Sequence, residues 1–365
     1  MKAAASRRVV LLSKVDFWHG GAGHRARIRT LVQWLSQHTR LSIVLPVPPD
    51  AAALALLATV VPQAHIHALN LPPRGTRQQA LAAFAAFFQT HPQDACIVEY
   101  LDMAWLRAAV PPSVLTLVDT HDVVSQRDAE LVQLGPLNRP VLTAADERRQ
   151  LGRFDKVIAI GTPDAQVFSQ WLGPDRVVLA PHAHAVHAHA PRAELRRLLF
   201  VGSAYAPNIE GLRWFLNEVW PALRVQGLLL DVVGDVGPAM ALQSAPDLCV
   251  HGVVADLGAA YARADLCINP VRHGSGLKIK TVEALAHGLP LVSTRHGVRG
   301  LQAAAGQAFV VADDAAAFVQ AVLHLAAHPA ERERLGQAAL ALAAQAFSPQ
   351  ACYGPLLEVL NGHVA

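Results

Sequence analysis

Charge and aromatic rings are scarce in this 365-residue chain: 16% of the residues are Asp, Glu, Lys or Arg, and 6% are Phe, Trp or Tyr. The formal net charge is only +3 and no dense Lys/Arg run occurs, so composition offers no electrostatic footprint for nucleic acid. The four cysteines (Cys96, Cys249, Cys267, Cys352) form no CxxC pair and no metal-ligand spacing. Reduced cysteines packed as small hydrophobes are therefore expected. No window of about 18 uninterrupted apolar residues exists, so no transmembrane helix is expected. The early apolar run, Val9 to Leu12, is far shorter than the roughly 7–15 residues of a signal-peptide core, and Lys14 and Asp16 follow it at once. A cytoplasmic protein is the expectation.

What is plentiful is apolar side chain, 52% of the total. At this length the chain exceeds one typical core and suits two. Apolar, β-branched runs predict strands at 8–15, 41–46, 64–69, 95–99, 114–118, 155–160 and 176–180. A second series follows at 198–202, 228–234, 247–251, 265–269, 290–293 and 307–311. Helical patterns fall between them, for example 24–38, 76–90, 138–152 and 163–172, then 208–225, 255–263, 277–287, 313–327 and 329–346. Fully apolar strands alternating with helices signal parallel sheets covered on both faces. The expected class is α/β with two Rossmann-like doubly wound domains, 1–183 and 190–346, and a closing helix near 349–361. Between the domains, "PHAHAVHAHAPRAE" (181–194) breaks both periodicities. Its histidines (His182, His184, His187, His189) lack the carboxylate or cysteine support a metal site needs and predict a polar linker.

Open α/β sheets bind ligands beyond the carboxyl ends of their strands. After the first strand, "DFWHGGAGHRARIRTL" (16–31) brings Gly20 and Gly21, which let backbone approach a ligand, and a helix start suited to an anion. As a dinucleotide fingerprint it is weak, because no acidic residue follows the second strand. Arg25, Arg27, Arg29 and Arg40 read as a solvated helix face or as contacts for an acidic acceptor, which leaves peripheral association with the inner face of a membrane open. "DTHDVVSQRD" (119–128) puts Asp119, His121 and Asp122 at a strand end. Asp119 could orient His121, and Asp122 could cap the next helix. In the second half, Gly202 and Ser203 end one strand, and Asn208 is a plausible helix start.

The richest segment is "INPVRHGSGLKIKTVEALAHGLPLVST" (268–294). A strand ends at Asn269, Arg272 and His273 follow, and Gly274-Ser275-Gly276 leads into a helix. Backbone N–H groups, Lys278 and Arg272 would cradle a diphosphate, and Glu283 would accept hydrogen bonds from sugar hydroxyls. The plain alternative is a surface charge triplet of Lys280, Glu283 and His287. No Asp-x-Asp suited to a metal–diphosphate bridge is present, and Asp313-Asp314 reads as a helix cap.

Together with "FVGSAYAPNIEGLRWFLNEVWPAL", "HGVRGL", "DTHD" and "RFDKVIAIGTPDAQVF", that segment resembles the GT-B glycosyltransferases of family 4, the glycosyl transferases group 1. The resemblance implies two domains facing across a cleft, with 347–365 packing back on the first. It implies the donor nucleotide on the second domain, the acceptor on the first, and sugar transfer from a UDP- or GDP-sugar to a hydroxyl of a glycan or lipid-linked acceptor in polysaccharide biosynthesis. Such transfer would be retaining and metal-independent, with no cofactor beyond the nucleotide sugar. By carry-over the catalytic set is His121, Glu283 and Lys278. Glu283 matches the glutamate that holds the donor ribose, and Lys278 and Gly274–Gly276 match diphosphate ligands. Val253 and Val254 sit where backbone groups read the base, His121 matches a histidine contacting the transferred sugar, and Gly20 and Gly21 match the loop near the donor phosphates. Ser275 stands where the family usually has a second glutamate, and Ser203 to Asn208 carries none of the usual basic residues, shifting phosphate neutralisation toward Arg272, His273 or Lys278. A sugar-nucleotide epimerase on the same scaffold, or a non-catalytic two-domain binding protein, are the alternatives.

Overall fold

The computed structural model describes residues 6–71, 75–187 and 194–362. The first series runs β1 (Arg8–Leu12), α1 (Gly23–His38), β2 (Arg40–Leu45), α2 (Ala51–Val60), β3 (His65–Ala68), α3 (Arg77–Thr90) and β4 (Ala95–Glu99). A 3-10 stretch, Leu101–Ala109, leads to β5 (Leu115–Asp119), α4 (Val124–Val132), α5 (Ala144–Leu151), β6 (Lys156–Ala159), α6 (Thr162–Leu172) and β7 (Val177–Leu179). The second runs β8 (Arg197–Val201), α7 (Ala206–Trp214), α8 (Trp220–Arg224), β9 (Leu229–Val233), α9 (Val236–Ala239), β10 (Leu248–Gly252), α10 (Leu257–Arg263) and β11 (Leu266–Asn269). It closes with α11 (Ile279–Ala286), β12 (Leu291–Ser293), β13 (Val310–Val311), α12 (Ala315–Ala327), α13 (Pro329–Ala346) and α14 (Pro349–Gly362).

The strands build two parallel sheets, ordered β3-β2-β1-β4-β5-β6-β7 and β10-β9-β8-β11-β12-β13. In each sheet the chain first winds outward from one strand and then returns to that strand's other side. The strand order therefore reverses between β1 and β4 and between β8 and β11, and at such switch points loops diverge and leave a crevice. Both glycine loops singled out in the sequence follow a strand at one of these points.

Differences from the sequence reading have local causes. The helix expected over 208–225 starts at Ala206 and passes through a π turn, Phe215–Val219, before α8. Pro221, just inside α8, has no N–H for the regular ladder, and a wider turn at that point absorbs the lost bond. The helix expected from 138 begins only at Ala144, where the Thr143 hydroxyl accepts the Asp146 N–H at 3.1 Å and sets the start. The strand expected over 307–311 shrinks to two residues.

One buried apolar cluster is shared by both halves. It runs from Leu31 and Leu35 of α1, through Tyr353 and Leu356 of α14, to Val282 and Leu285 of α11. Tyr353 also sets its hydroxyl 2.7 Å from that of Thr30, so the closing helix lies against α1. Among the described residues no helix is long and apolar enough to cross a membrane.

Candidate active site

At the β8/β11 switch point, the loop after β11 curls around its own lysine. Lys278 Nζ donates to the carbonyls of Gly274 (2.6 Å), Ser275 (3.0 Å) and Gly276 (3.2 Å). All three ammonium donors are thus spent on the loop, and burial pulls the lysine's pKa down to about 8. Lys280 lies two residues on, in the first turn of α11. Its Nζ donates to Asn208 Oδ1 at 2.7 Å and sits 4.3 Å from the Phe200 ring centre, with burial lowering its pKa to about 7. Asn208 in turn donates to the Ser203 carbonyl at 3.0 Å, so the loops after β8 and β11 are tied together through Lys280.

Glu283 is only 6% exposed and accepts the Tyr261 hydroxyl at 2.8 Å; burial raises its carboxyl to about 7. Tyr261 stacks on His287 (4.5 Å), and His287 stacks on His187 of the segment before β8 (4.5 Å). Glu283 and His287 are buried and Lys280 is partly so, which replaces the surface-triplet alternative with a packed polar row. The bridging segment is likewise tied down. His184 N–H donates to the Phe347 carbonyl and His187 N–H to the Ala286 carbonyl, both at 2.8 Å. His189 lies outside the described residues.

Arg272 and His273 point elsewhere. Arg272 pairs with Glu210 and lies 4.9 Å from the Trp214 ring, and His273 Nε2 is 3.8 Å from the same carboxylate. Glu210 therefore neutralises the pair expected to meet the diphosphate, and Lys280 is the basic group that the loops bring to the switch point instead. Ser275 Oγ is buried with no hydrogen-bond partner. Val253 is more than half exposed, and its side chain would stand 3.2 Å from a methyl group placed on Gly21, whereas a methyl group on Gly20 would meet nothing within 4 Å. Asn269 ends β11 as expected, while β8 stops at Val201, one residue before Gly202; Asn269 Nδ2 is occupied by Thr281 and the Gly297 carbonyl.

In the first domain, Glu99 and Asp119 are register partners at the ends of β4 and β5, and both are fully buried. Arg27, also fully buried, grips both Asp119 oxygens (2.9 and 3.1 Å) and the Ala180 carbonyl. His121 Nε2 lies 2.7 Å from Glu99 Oε2 and 3.9 Å from Asp119 Oδ2, so Glu99, not Asp119, orients the ring. Glu99, Asp119 and His121 approach one another at metal-ligand spacing, but the guanidinium occupying both Asp119 oxygens makes this a poor cation cage.

Asp122 does not cap α4. It pairs with Arg127 at 3.2 Å, and Glu147 of α5 accepts the Val124 and Ser125 N–H groups at 2.7 Å each. The arginines of α1 are not free for an acidic surface either. Arg25 pairs with Asp16, Arg27 is internal, and Arg29 donates to the Phe17 and Trp18 carbonyls, which removes the motive for a membrane contact there.

The two halves meet at this site. The Gly274 N–H donates to Glu130 Oε2 at 2.5 Å, Glu130 lies 3.5 Å from both His296 and Arg299, and Arg299 donates to Gln126. A methyl group on Gly276, whose φ is +72°, would stand 2.9 Å from the His121 carbonyl oxygen. Gly276→Ala should therefore strain the loop and prop the domains apart. We expect a larger radius of gyration in solution scattering and an activity loss of about tenfold, because a misplacement of about 1 Å is costly to a two-sided site. Behind the loop, a cavity of about 800 Å³ lies between Leu277, Leu301, Phe347 and Val359; none of the predicted site residues lines it.

Sequence reading missed Glu99, Arg27, Glu130 and Tyr261 as members of the site. Glu99 had a visible signal, being a carboxylate at the carboxyl end of an otherwise apolar strand, as Asp119 is. Arg27, Glu130 and Tyr261 sit mid-helix, and only tertiary packing brings them here.

Residues 196–328 match the family model described as glycosyl transferases group 1. A Klebsiella pneumoniae protein described as an uncharacterized 44.6 kDa protein in the cps region is 25% identical over 188 residues, 47% of this chain and 47% of that protein. The alignment thus spans about half the length of that relative. The structure superposes on Anabaena Alr3699/HepE in complex with UDP and glucose, with a TM-score of 0.71 and 16% identity over 98% of this chain and 100% of the other. It superposes on the sucrose-phosphate synthase of Thermosynechococcus elongatus with a TM-score of 0.73 and 16% identity over 98% of each chain. The chain has the GT-B fold over 98% of its length, and residues 196–328 of its second domain resemble the glycosyl transferases group 1 family.

Proposed function

We propose that this protein is a glycosyltransferase that moves a sugar from a UDP- or GDP-sugar to a hydroxyl of a glycan, lipid-linked glycan or other glycoconjugate, with retention and without a metal ion. The observation that carries the reading is the convergence of Lys278, Lys280 and Glu283 on the β8/β11 switch point, facing His121 of the first domain across a shared contact at Gly276. As the bond to the leaving diphosphate breaks, negative charge grows on that group. Cations already fixed in a water-poor site stabilise it at little reorganisation cost. The lysines supply this once a diphosphate takes the place of the loop carbonyls and of Asn208. Glu283, steadied by Tyr261, suits the ribose hydroxyls, and the unpartnered Ser275 hydroxyl is free for the transferred sugar. That the Anabaena structure holds UDP and glucose supports a uridine donor.

The test is a panel of UDP-, GDP-, ADP- and CDP-sugars with and without hydroxyl acceptors, run with and without a chelator. Nucleotide release that needs an acceptor and survives chelation is the expected result. Release without any acceptor would instead indicate epimerisation, and binding without turnover a sensor. The absence of both nucleotide release and a thermal shift with every donor would sink the reading, since a ligand at about 100 times its Kd adds about 2.7 kcal/mol of stability.

A further inference from the structure

We propose that Glu99 is a positioning residue for His121, fixing the ring so that Nε2 carries a proton toward Glu99 and Nδ1 is the nitrogen presented to a sugar hydroxyl. This rests on the glycosyltransferase reading, which places His121 beside the transferred sugar.

The geometry is specific. Glu99 and Asp119 end adjacent strands in register, and the residue after each strand end region departs from ordinary backbone: Tyr100 has φ 67° and His121 φ 61°. Neither is glycine, so the surrounding structure must impose this left-handed backbone. The two strained residues stack their rings, with centroids 4.0 Å apart and planes within 11°. That stack fixes the plane of the imidazole, and the 2.7 Å contact to Glu99 fixes its rotation.

Among the described residues, Glu99 is the only hydrogen-bond partner of this ring. Glu99 likewise has no other hydrogen bond, since its Oε1 is buried and unpartnered. Asp119 cannot share the task, because Arg27 holds both of its oxygens. Each carboxylate thus has its own committed partner, Arg27 for Asp119 and the His121 ring for Glu99. A carboxylate accepts, so the proton of a neutral ring sits on Nε2 and Nδ1 is left as an acceptor. A hydroxyl of the transferred sugar is the chemical group that an acceptor at this place would take.

The test combines NMR of ¹⁵N-histidine-labelled protein with kinetics. In the wild type, the His121 signal, assigned by its loss in His121→Asn, should report a protonated Nε2. A Nδ1–H neutral tautomer would overturn the proposal. In Glu99→Ala the Nε2 preference should vanish and kcat fall about 10- to 100-fold, by analogy with the loss of the carboxylate that orients a metal-bound histidine. UDP affinity should stay within twofold, because the nucleotide is held by the other domain. Glu99→Gln, which keeps an acceptor oxygen, should recover part of the loss. Wild-type kcat in both variants, or losses of kcat and UDP affinity in parallel with an unchanged tautomer, would reduce Glu99 to a packing role. Should Glu99→Ala fail to fold, Glu99→Gln and the wild-type tautomer still decide the matter. The tautomer is read without turnover, so absence of transferase activity would remove the functional reading and leave the dyad standing.

Discussion

Replacing Arg27 with methionine should destabilise the protein by about 3–5 kcal/mol, the range expected when one partner of a buried ion pair is removed. Arg27 and Asp119 are both fully buried, with two hydrogen bonds between them at 2.9 and 3.1 Å. Methionine preserves most of the side-chain volume, so the loss is electrostatic rather than a cavity effect. It strands the Asp119 carboxylate beside that of Glu99 with no cation committed to it. It also frees the Ala180 carbonyl, which Arg27 ties to α1 at 2.9 Å. For a unit of this size each kcal/mol corresponds to roughly 2–4 °C, so thermal unfolding should move down by on the order of 10 °C. Arg27→Met with Asp119→Leu should recover most of the loss, because removing both partners leaves no buried charge. A single variant that melts with the wild type would show that the pair contributes nothing net.

Such a pair is invisible in sequence for a physical reason. Arg25, Arg27 and Arg29 alternate on an amphipathic helix, and composition alone makes them a solvated face. The fold turns each inward to a different acceptor: Asp16, Asp119, and the backbone before the helix. Most strands were legible because parallel strands buried on both faces leave short apolar runs, which their length and β-branched content separate from the longer helical patterns. All thirteen runs singled out correspond to strands, the edges shifting by a few residues. The second-domain loop was legible for a similar reason: glycine, lysine and glutamate after a strand form a local pattern. What that loop touches was not. Arg272 read as a phosphate ligand because nothing nearby in sequence revealed that Glu210, sixty-two positions earlier, would pair with it. Glu147 capping α4, and Glu130 meeting the Gly274 N–H, are contacts between segments of no common pattern. Long-range polar pairing is set by topology, and the chain's own periodicity says little about it.

Lys278→Ala and Glu283→Ala should each lower turnover at least about 10²-fold, the cost of losing one preorganised electrostatic contact to a developing charge. The structure separates the two effects. Lys278 spends its three donors on the loop carbonyls at 2.6, 3.0 and 3.2 Å, so its removal takes away a cation and also the scaffold of the loop. Both kcat and donor affinity should fall, and Lys278→Arg should rescue poorly because a planar fork does not reproduce three convergent donors. Glu283→Ala leaves the Tyr261 hydroxyl buried without its acceptor, and the loss should appear first in nucleotide affinity. The titrations give a sharper check. Burial raises Glu283 to about 7 and lowers Lys280 to about 7 and Lys278 to about 8. A bound diphosphate favours charged lysines, so binding takes up protons above these values and affinity falls as pH rises through 7 to 8. The ribose hydroxyls need an ionised Glu283, so affinity also falls as pH drops below about 7. UDP affinity should therefore peak near neutrality, and calorimetry in buffers of different ionisation enthalpy should show net proton uptake at pH 8. Glu283→Gln should flatten the acid limb alone, and Lys280→Met should weaken the alkaline one. A profile that is flat from pH 6 to 9, or alanine variants that retain normal turnover with the true donor, would place the diphosphate somewhere other than this loop.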